Sequence, residues 1–161
     1  QNDDGQQTVH AGQDGLAFVM NAGVFAQTLL LCDHVDKDEH GEEVGHSGQD
    51  GCCCDLVQDW PGHSAADGTD RLHPITTAPS RLRALYGMRC IVNSSHHQVV
   101  GQLGDHLEPL QWADDGAVEA LRHRTLPVWG VQWHPERLSA SDRRLPDGLL
   151  LYRAFLSGGL L

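Results

Sequence analysis

Residues 130–136 read GVQWHPE, and the fold is decided there. The apolar run Val128–Trp133 (VWGVQW) predicts a strand. Pro135 stops it, because proline has no amide hydrogen to offer a neighbouring strand. The strand thus delivers His134 at its carboxyl end, with a carboxylate two residues on. In an extended chain, residues i and i+2 point the same way, so Glu136 can orient His134 and stabilise its imidazolium. Sites in α/β folds gather at the carboxyl ends of strands, and a base with its orienting acid is half of a nucleophilic triad. On the residues alone, a purely structural His beside a carboxylate competes with that reading.

Upstream of this strand the pattern is regular from Leu72 onward. Ser80 is an N-cap residue and Gly87 a C′ residue, so RLRALY between them predicts a short helix. Met88–Asn93 (MRCIVN) is a compact apolar strand. Leu107–Ala113 and Ala117–Arg122 flank Asp114-Asp115-Gly116, and Asp-Gly between two apolar runs predicts a hairpin. Downstream, Pro146-Asp147 opens an amphipathic helix with Leu149, Tyr152, Phe155 and Leu156 expected on its inner side, ended by Gly158-Gly159. Helices alternating with strands predict an α/β layer fold.

The first half is less patterned. Residues 1–13 are polar, and Asp33–Asp70 is rich in Gly, Asp, His and Glu, which predicts a long loop at about 33–71 in a single domain of 161 residues. Between them, Gly15–Cys32 (GLAFVMNAGVFAQTLLLC) carries no charge and is long enough for a membrane span. Asp3, Asp4 and Asp14 precede it where a leader would carry Lys or Arg, and Asn21 and Gln27 interrupt it. A buried helix running into a strand is the expectation. The chain begins at Gln1, which suggests a processed chain or a piece of a longer reading frame.

Eleven Lys+Arg against 22 Asp+Glu give a net charge of −11 with His neutral. Such a surface repels phosphate backbones and anionic lipid, so neither nucleic acid nor membrane is an expected partner. Five cysteines, Cys32, Cys52, Cys53, Cys54 and Cys90, three of them adjacent, do not form a disulfide pattern and suggest a reducing compartment, here the cytoplasm. None of them shows the spaced pairs of a thiolate metal site. His34, Asp36, Asp38, His40 and His46 do cluster potential ligands, and a solvated acidic loop is the competing reading.

Residues 92–98 read VNSSHHQ and residues 73–87 read HPITTAPSRLRALYG. With the DDGAVEAL hairpin, GVQWHPE and the closing helix, they closely resemble the gamma-glutamyl-GABA hydrolase branch of the class I glutamine amidotransferase-like superfamily. The resemblance covers roughly residues 72–157. It implies a three-layer, flavodoxin-like α/β sheet. It also implies a Cys-His-Glu hydrolase that cleaves gamma-glutamyl amides through a thioester, with a small-molecule gamma-glutamyl substrate and no metal or organic cofactor. By position, His134 is the general base and Glu136 its orienting acid. Asn93, Ser94, His96, His97 and Gln98 fall in a segment near the active-site side and are candidate substrate contacts. For His96-His97, a polar loop held by backbone hydrogen bonds is the competing reading.

The resemblance fails at the nucleophile. The family's elbow has the form Gly-x-Cys-Arg-Gly-x-Gln before a helix containing an Asn. Registered on Gly12 and Asn21, the Cys position reads Asp14, the Arg reads Gly15 and the Gln reads Phe18. A carboxylate is already ionised, so His134 has no proton to remove from it, and its attack on an amide would give an anhydride that reverts. Family members also carry strands before the elbow, which this chain is expected to lack. The sheet edge left open would invite a second copy or a complementing chain. Three readings follow: a retained hydrolase, an inactive member or fragment that binds a ligand or partner, and a His/Asp metal module.

Overall fold

A computed structural model describes residues 56–139 and 144–160, together with the backbone of His10–Ala11 and Ala17–Met20. One sheet contains β1 (His10–Ala11), β2 (Ala17–Met20), β4 (Arg71–Thr77), β5 (Arg89–Ser94), β7 (Leu107–Ala113), β8 (Val118–His123) and β9 (Val128–Val131). Their order across it is β1-β2-β9-β8-β7-β4-β5, which puts β9 inside the sheet. A separate ribbon pairs β3 (Leu56–Val57) with β6 (Val99–Val100). The fold is α/β, as expected. From β9 to β5 every neighbouring pair is antiparallel, with short turns joining β7 to β8 and β8 to β9, and β2–β9 is the one parallel pair among the described residues.

The β7–β8 hairpin closes on Ala113 and Ala117, with Gly116 at φ 92°. That left-handed backbone is open to glycine without steric cost. The Asp115 Oδ1 accepts from the Ala117 amide at 3.1 Å. Strand β4 was not apparent in the sequence, since Pro74 sits in its middle. The sheet tolerates it because β7 pairs with β4 only at Ile75–Thr77, leaving Pro74 with a single neighbour, β5.

Helix α1 (Arg81–Tyr86) starts on Ser80, whose Oγ accepts from the Arg83 amide at 3.4 Å, and stops at Gly87 with φ 79°. Helix α2 (Leu149–Leu156) follows Gly148. Both helices bury Leu82, Tyr86, Leu151 and Phe155 against Ile75, Val92, Leu110, Ala120, Trp129 and Val131 of the sheet. Each such large side chain contributes about 1.5–3 kcal/mol of burial. The inner face of α2 differs from expectation. Leu151 is fully buried and Phe155 nearly so, while Leu149 and Leu156 are 54% and 77% exposed. Leu151 and Phe155, four residues apart, form the stripe that meets the sheet, and Leu149 and Leu156 fall outside it.

Of the Gly12–Phe18 stretch on which the elbow is registered, only Ala17 and Phe18 are described. Phe18 and Ala17 lie in β2, paired antiparallel with β1 and parallel with β9. Ala17–Met20 is a strand where a helix was expected. Asp14, Asn21, Cys32, Cys52, Cys53 and Cys54 lie outside the described residues, as do His34, Asp36, Asp38, His40, His46 and most of the expected loop. Among the described residues no helix is long and apolar enough to cross a membrane.

Candidate functional site

Beyond β9, Gln132 and Trp133 continue the chain to His134, and Pro135–Arg137 form one 3-10 turn. Pro135 is at the start of that turn, where its missing amide costs nothing. The turn folds Glu136 back so that its Oε1 lies 2.8 Å from the His134 Nδ1. With Nδ1–H donating to the carboxylate, the His134 Nε2 carries the lone pair. That atom is buried and has no hydrogen-bond partner among the described residues. Burial raises the Glu136 carboxyl, but the His134 hydrogen bond, a backbone hydrogen bond and the charges of His134 and Arg137 together outweigh it, and the acid is held below its ordinary range. The contact that the two-residue spacing expects between these side chains is present.

Three further contacts fix the His134 backbone and the turn. The His134 amide donates to Asn93 Oδ1 at 3.1 Å, and Asn93 Nδ2 donates to Asp70 Oδ2 at 3.0 Å. Arg137 Nη1 closes the chain on Asp70 Oδ1 at 2.7 Å. The Trp133 indole donates to Gln111 Oε1 at 3.0 Å inside the core. Gly148 packs its α-carbon against Pro135, where an added Cβ would lie 1.8 Å from the Pro135 carbonyl oxygen. Neither Asp70 nor Gly148 stood out in the sequence, because their roles depend on contacts with residues 13–67 positions away.

The candidate substrate residues divide. Asn93 is buried and holds the His134 amide. Ser94 is buried and donates to the His63 carbonyl at 2.7 Å. His96 is buried in a second cluster, described next. His97 is exposed, its carbonyl accepting from the Trp60 amide at 2.8 Å. The Gln98 side chain donates to Gln58 Oε1 at 2.7 Å, and its carbonyl accepts from Gln132 Nε2 at 2.7 Å. Asn93 alone of these five is joined to the His134 site by a hydrogen bond.

The second cluster surrounds Glu119 of β8, which has no solvent exposure. Its Oε1 lies 3.2 Å from His63 Nδ1, 3.4 Å from His96 Nε2 and 3.5 Å from His73 Nε2. Among the described residues neither Glu119 oxygen has a hydrogen-bond partner. Burial raises the Glu119 carboxyl, yet the neighbouring imidazoles outweigh it and keep it low. The Glu119 carboxylate in turn raises the His63 imidazole. For His73, burial dominates and lowers it. Spacing could not reveal this group, since its members come from four separate segments.

Cys90 is the one cysteine among the described residues. Burial pushes its thiol up to about 11, so it is protonated and inert near neutral pH. It makes no hydrogen bond to the His134 Nε2.

Residues 46–136, more than half of the chain, match the family model described as peptidase C26, and the match ends on Glu136. The chain belongs to the peptidase C26 family. This places it in the class I glutamine amidotransferase-like superfamily. It is 40% identical over 94 residues to a Mycobacterium tuberculosis protein named as a glutamine amidotransferase, covering 55% of this chain and 29% of that protein. It is 51% identical over 47 residues to aminodeoxychorismate synthase of Streptomyces griseus, covering 29% of this chain and 6% of that one. With a glutamine-hydrolyzing GMP synthase component of Methanosarcina mazei it shares 46% identity over 55 residues, 34% of this chain and 29% of that protein. The chain thus spans well under two thirds of these peptidase C26-like relatives. A solved Thermoplasma acidophilum structure, described as a GMP synthase component, superposes with a TM-score of 0.52 at 15% identity. It covers 65% of this chain and 47% of that one, and shows the shared fold.

Proposed function

We propose that His134 and Glu136 are the base and orienting acid of a site that hydrolyses gamma-glutamyl amide bonds, of the gamma-glutamyl-GABA type. One observation carries this reading: a buried His134 Nε2 without a partner, on a ring whose Nδ1 is fixed by Glu136 at 2.8 Å. A core histidine with no chemical task would have both nitrogens satisfied. The glutamine-hydrolyzing name of the Methanosarcina relative supports a gamma-glutamyl carbon–nitrogen bond as the target. The VNSSHHQ segment favours the hydrolase branch over ammonia-transferring synthase components.

In this mechanism a thiol gives its proton to His134 Nε2, and the sulfur attacks the gamma-carbonyl carbon. The imidazolium, stabilised by Glu136, passes that proton to the departing amine as the carbon–nitrogen bond breaks. A water then loses a proton to His134 and attacks the thioester, releasing glutamate and restoring the thiol. Substrate is a small gamma-glutamyl amide, and no cofactor takes part.

The thiol must come from Cys32, Cys52, Cys53, Cys54 or a second chain. Met20, the last residue of β2, pairs with Val131, three residues before His134. The residues that follow are Asn21-Ala22-Gly23, and none is a cysteine. This favours a second reading, a member that binds gamma-glutamyl ligands without turnover. Acid-quenched mixtures with a gamma-glutamyl anilide, examined by peptide mass mapping, separate the two. A gamma-glutamyl adduct on a cysteine supports hydrolysis. Ligand-dependent stabilisation of a folded chain without an adduct supports binding alone.

A further inference from the structure

We propose that His63, His73, His96 and Glu119 form a buried site for a divalent transition ion of the zinc type, separate from the His134–Glu136 pair. Four donors held at about 2.0–2.1 Å around a tetrahedral ion stand about 3.3–3.4 Å from one another. The spacings here are 3.2 Å for His63 Nδ1 to Glu119 Oε1, 3.4 Å for His96 Nε2 and 3.5 Å for His73 Nε2 to the same oxygen. His63 Nδ1 and His96 Nε2 are 3.3 Å apart. The donor atoms of His63, His73 and Glu119 all lie within 4.8 Å of one another.

The outer nitrogens explain why this is a metal geometry and not a packing accident. His63 Nε2 lies 3.0 Å from Asp115 Oδ2, and His96 Nδ1 lies 2.9 Å from the Gln98 carbonyl. His73 Nδ1 lies 3.4 Å from the Pro74 carbonyl. Each ring has an oxygen to which its outer N–H can donate, with Gln132 Nε2 also 3.2 Å from His96 Nδ1, and a lone pair is then free to turn inward, the arrangement that metal-bound histidines adopt. Asp115 is itself held by the Trp60 indole at 2.8 Å and by the hairpin amide of Ala117.

The carboxylate supplies the independent observation. Glu119 has no solvent exposure, and neither of its oxygens has a hydrogen bond, although three imidazoles surround it. A buried carboxylate with ion-pair neighbours but no hydrogen bond is a costly group for a fold to hold, and a cation on Oε1 would satisfy it. His63 and His96 are also nearly sealed from solvent. His nitrogens and a carboxylate oxygen are ligands zinc accepts, and a four-coordinate ion here would tie residue 63 to β4, β8 and the segment after β5.

The test uses the full chain, stripped with a chelator and titrated with Co²⁺ and then Zn²⁺. One equivalent of Co²⁺ should give the intense visible absorption of a four-coordinate ion, without a thiolate charge-transfer band, and Zn²⁺ should displace it. The melting temperature should rise with ion concentration. Asp115→Asn should weaken binding about 10–100-fold, as loss of an outer partner does, and His73→Ala should abolish the spectrum. A variant carrying His34→Ala, His40→Ala and His46→Ala should bind as the unaltered chain does. The proposal is overturned by a folded chain that binds no ion, by a thiolate band, or by binding that disappears with the 34/40/46 changes. Should His73→Ala not fold, the cobalt spectrum of the unaltered chain still decides.

Discussion

Gly148→Ala perturbs the site without touching any ionisable group. Gly148 has φ −62° and ψ −27°, a backbone that alanine adopts freely. The conflict lies in space. The new Cβ would stand 1.8 Å from the Pro135 oxygen, 2.6 Å from its carbonyl carbon and 2.9 Å from its Cα. All three are backbone atoms, so no rotamer change relieves the clash. Either the start of α2 withdraws or the Pro135–Arg137 turn is displaced, and the 3.4 Å bond from the Gly148 amide to the Leu138 carbonyl is lost. Overpacking of this kind costs about 1–3 kcal/mol or more. The lower entropy of an alanine in the unfolded chain offsets about 0.4–1 kcal/mol of it. At about 2–4 °C per kcal/mol for a chain of this size, a net cost of about 1–2 kcal/mol lowers the melting temperature by about 2–8 °C. Thermal denaturation followed by circular dichroism measures it. A melting temperature equal to or above that of the unaltered chain would refute the contact between Gly148 and the turn that carries Glu136.

Other perturbations test the core and the charge of the site. Leu151→Ala should cost about 2–5 kcal/mol in urea denaturation, whereas Leu156→Ala should stay within about 0.5 kcal/mol; equal costs would contradict the assigned face of α2. Trp133→Phe removes the indole donor to Gln111 and leaves a buried amide oxygen unpaired, a loss of about 1–3 kcal/mol. Adding Gln111→Leu should recover part of that loss, and a further full-size loss would show that the bond carries none of it. Glu136 is held below its ordinary value of 4.5 in the folded chain. Its contribution to stability is therefore present above about pH 4.5 and disappears as the pH falls through the folded value. Denaturation of Glu136→Gln should accordingly differ from the unaltered chain at pH 7 and converge with it in acid. A gap that widens in acid would reverse the sign of that shift.

Much of the carboxyl-terminal half was legible because it depends on local rules. The Ser80 cap, Gly87, the Asp-Gly turn and the apolar run 88–93 each specify their own geometry, and the structure places α1, the β7–β8 hairpin and β5 within a residue or two of those marks. The His134–Glu136 contact was legible for the same reason, since two residues separate its partners. What escaped depends on tertiary context. Pro74 hid β4 because proline is excluded only where a strand is paired on both sides. Gly12–Phe18 looked like a strand-turn-helix, yet pairing with β9 makes Ala17–Met20 a strand. The apolar residues of α2 permitted two phases, and contact with the sheet selects Leu151 and Phe155. His63, His73, His96 and Glu119 carry no spacing signature, because tertiary packing of two loops against β4 and β8 brings them together.

The most direct test of the proposed activity is glutamate release from a panel of gamma-glutamyl amines, with His134→Ala measured beside the unaltered chain. The account predicts release that depends on His134 and falls by at least about 100-fold in the variant, as loss of a general base does. Release that persists undiminished in a folded His134→Ala chain would contradict it.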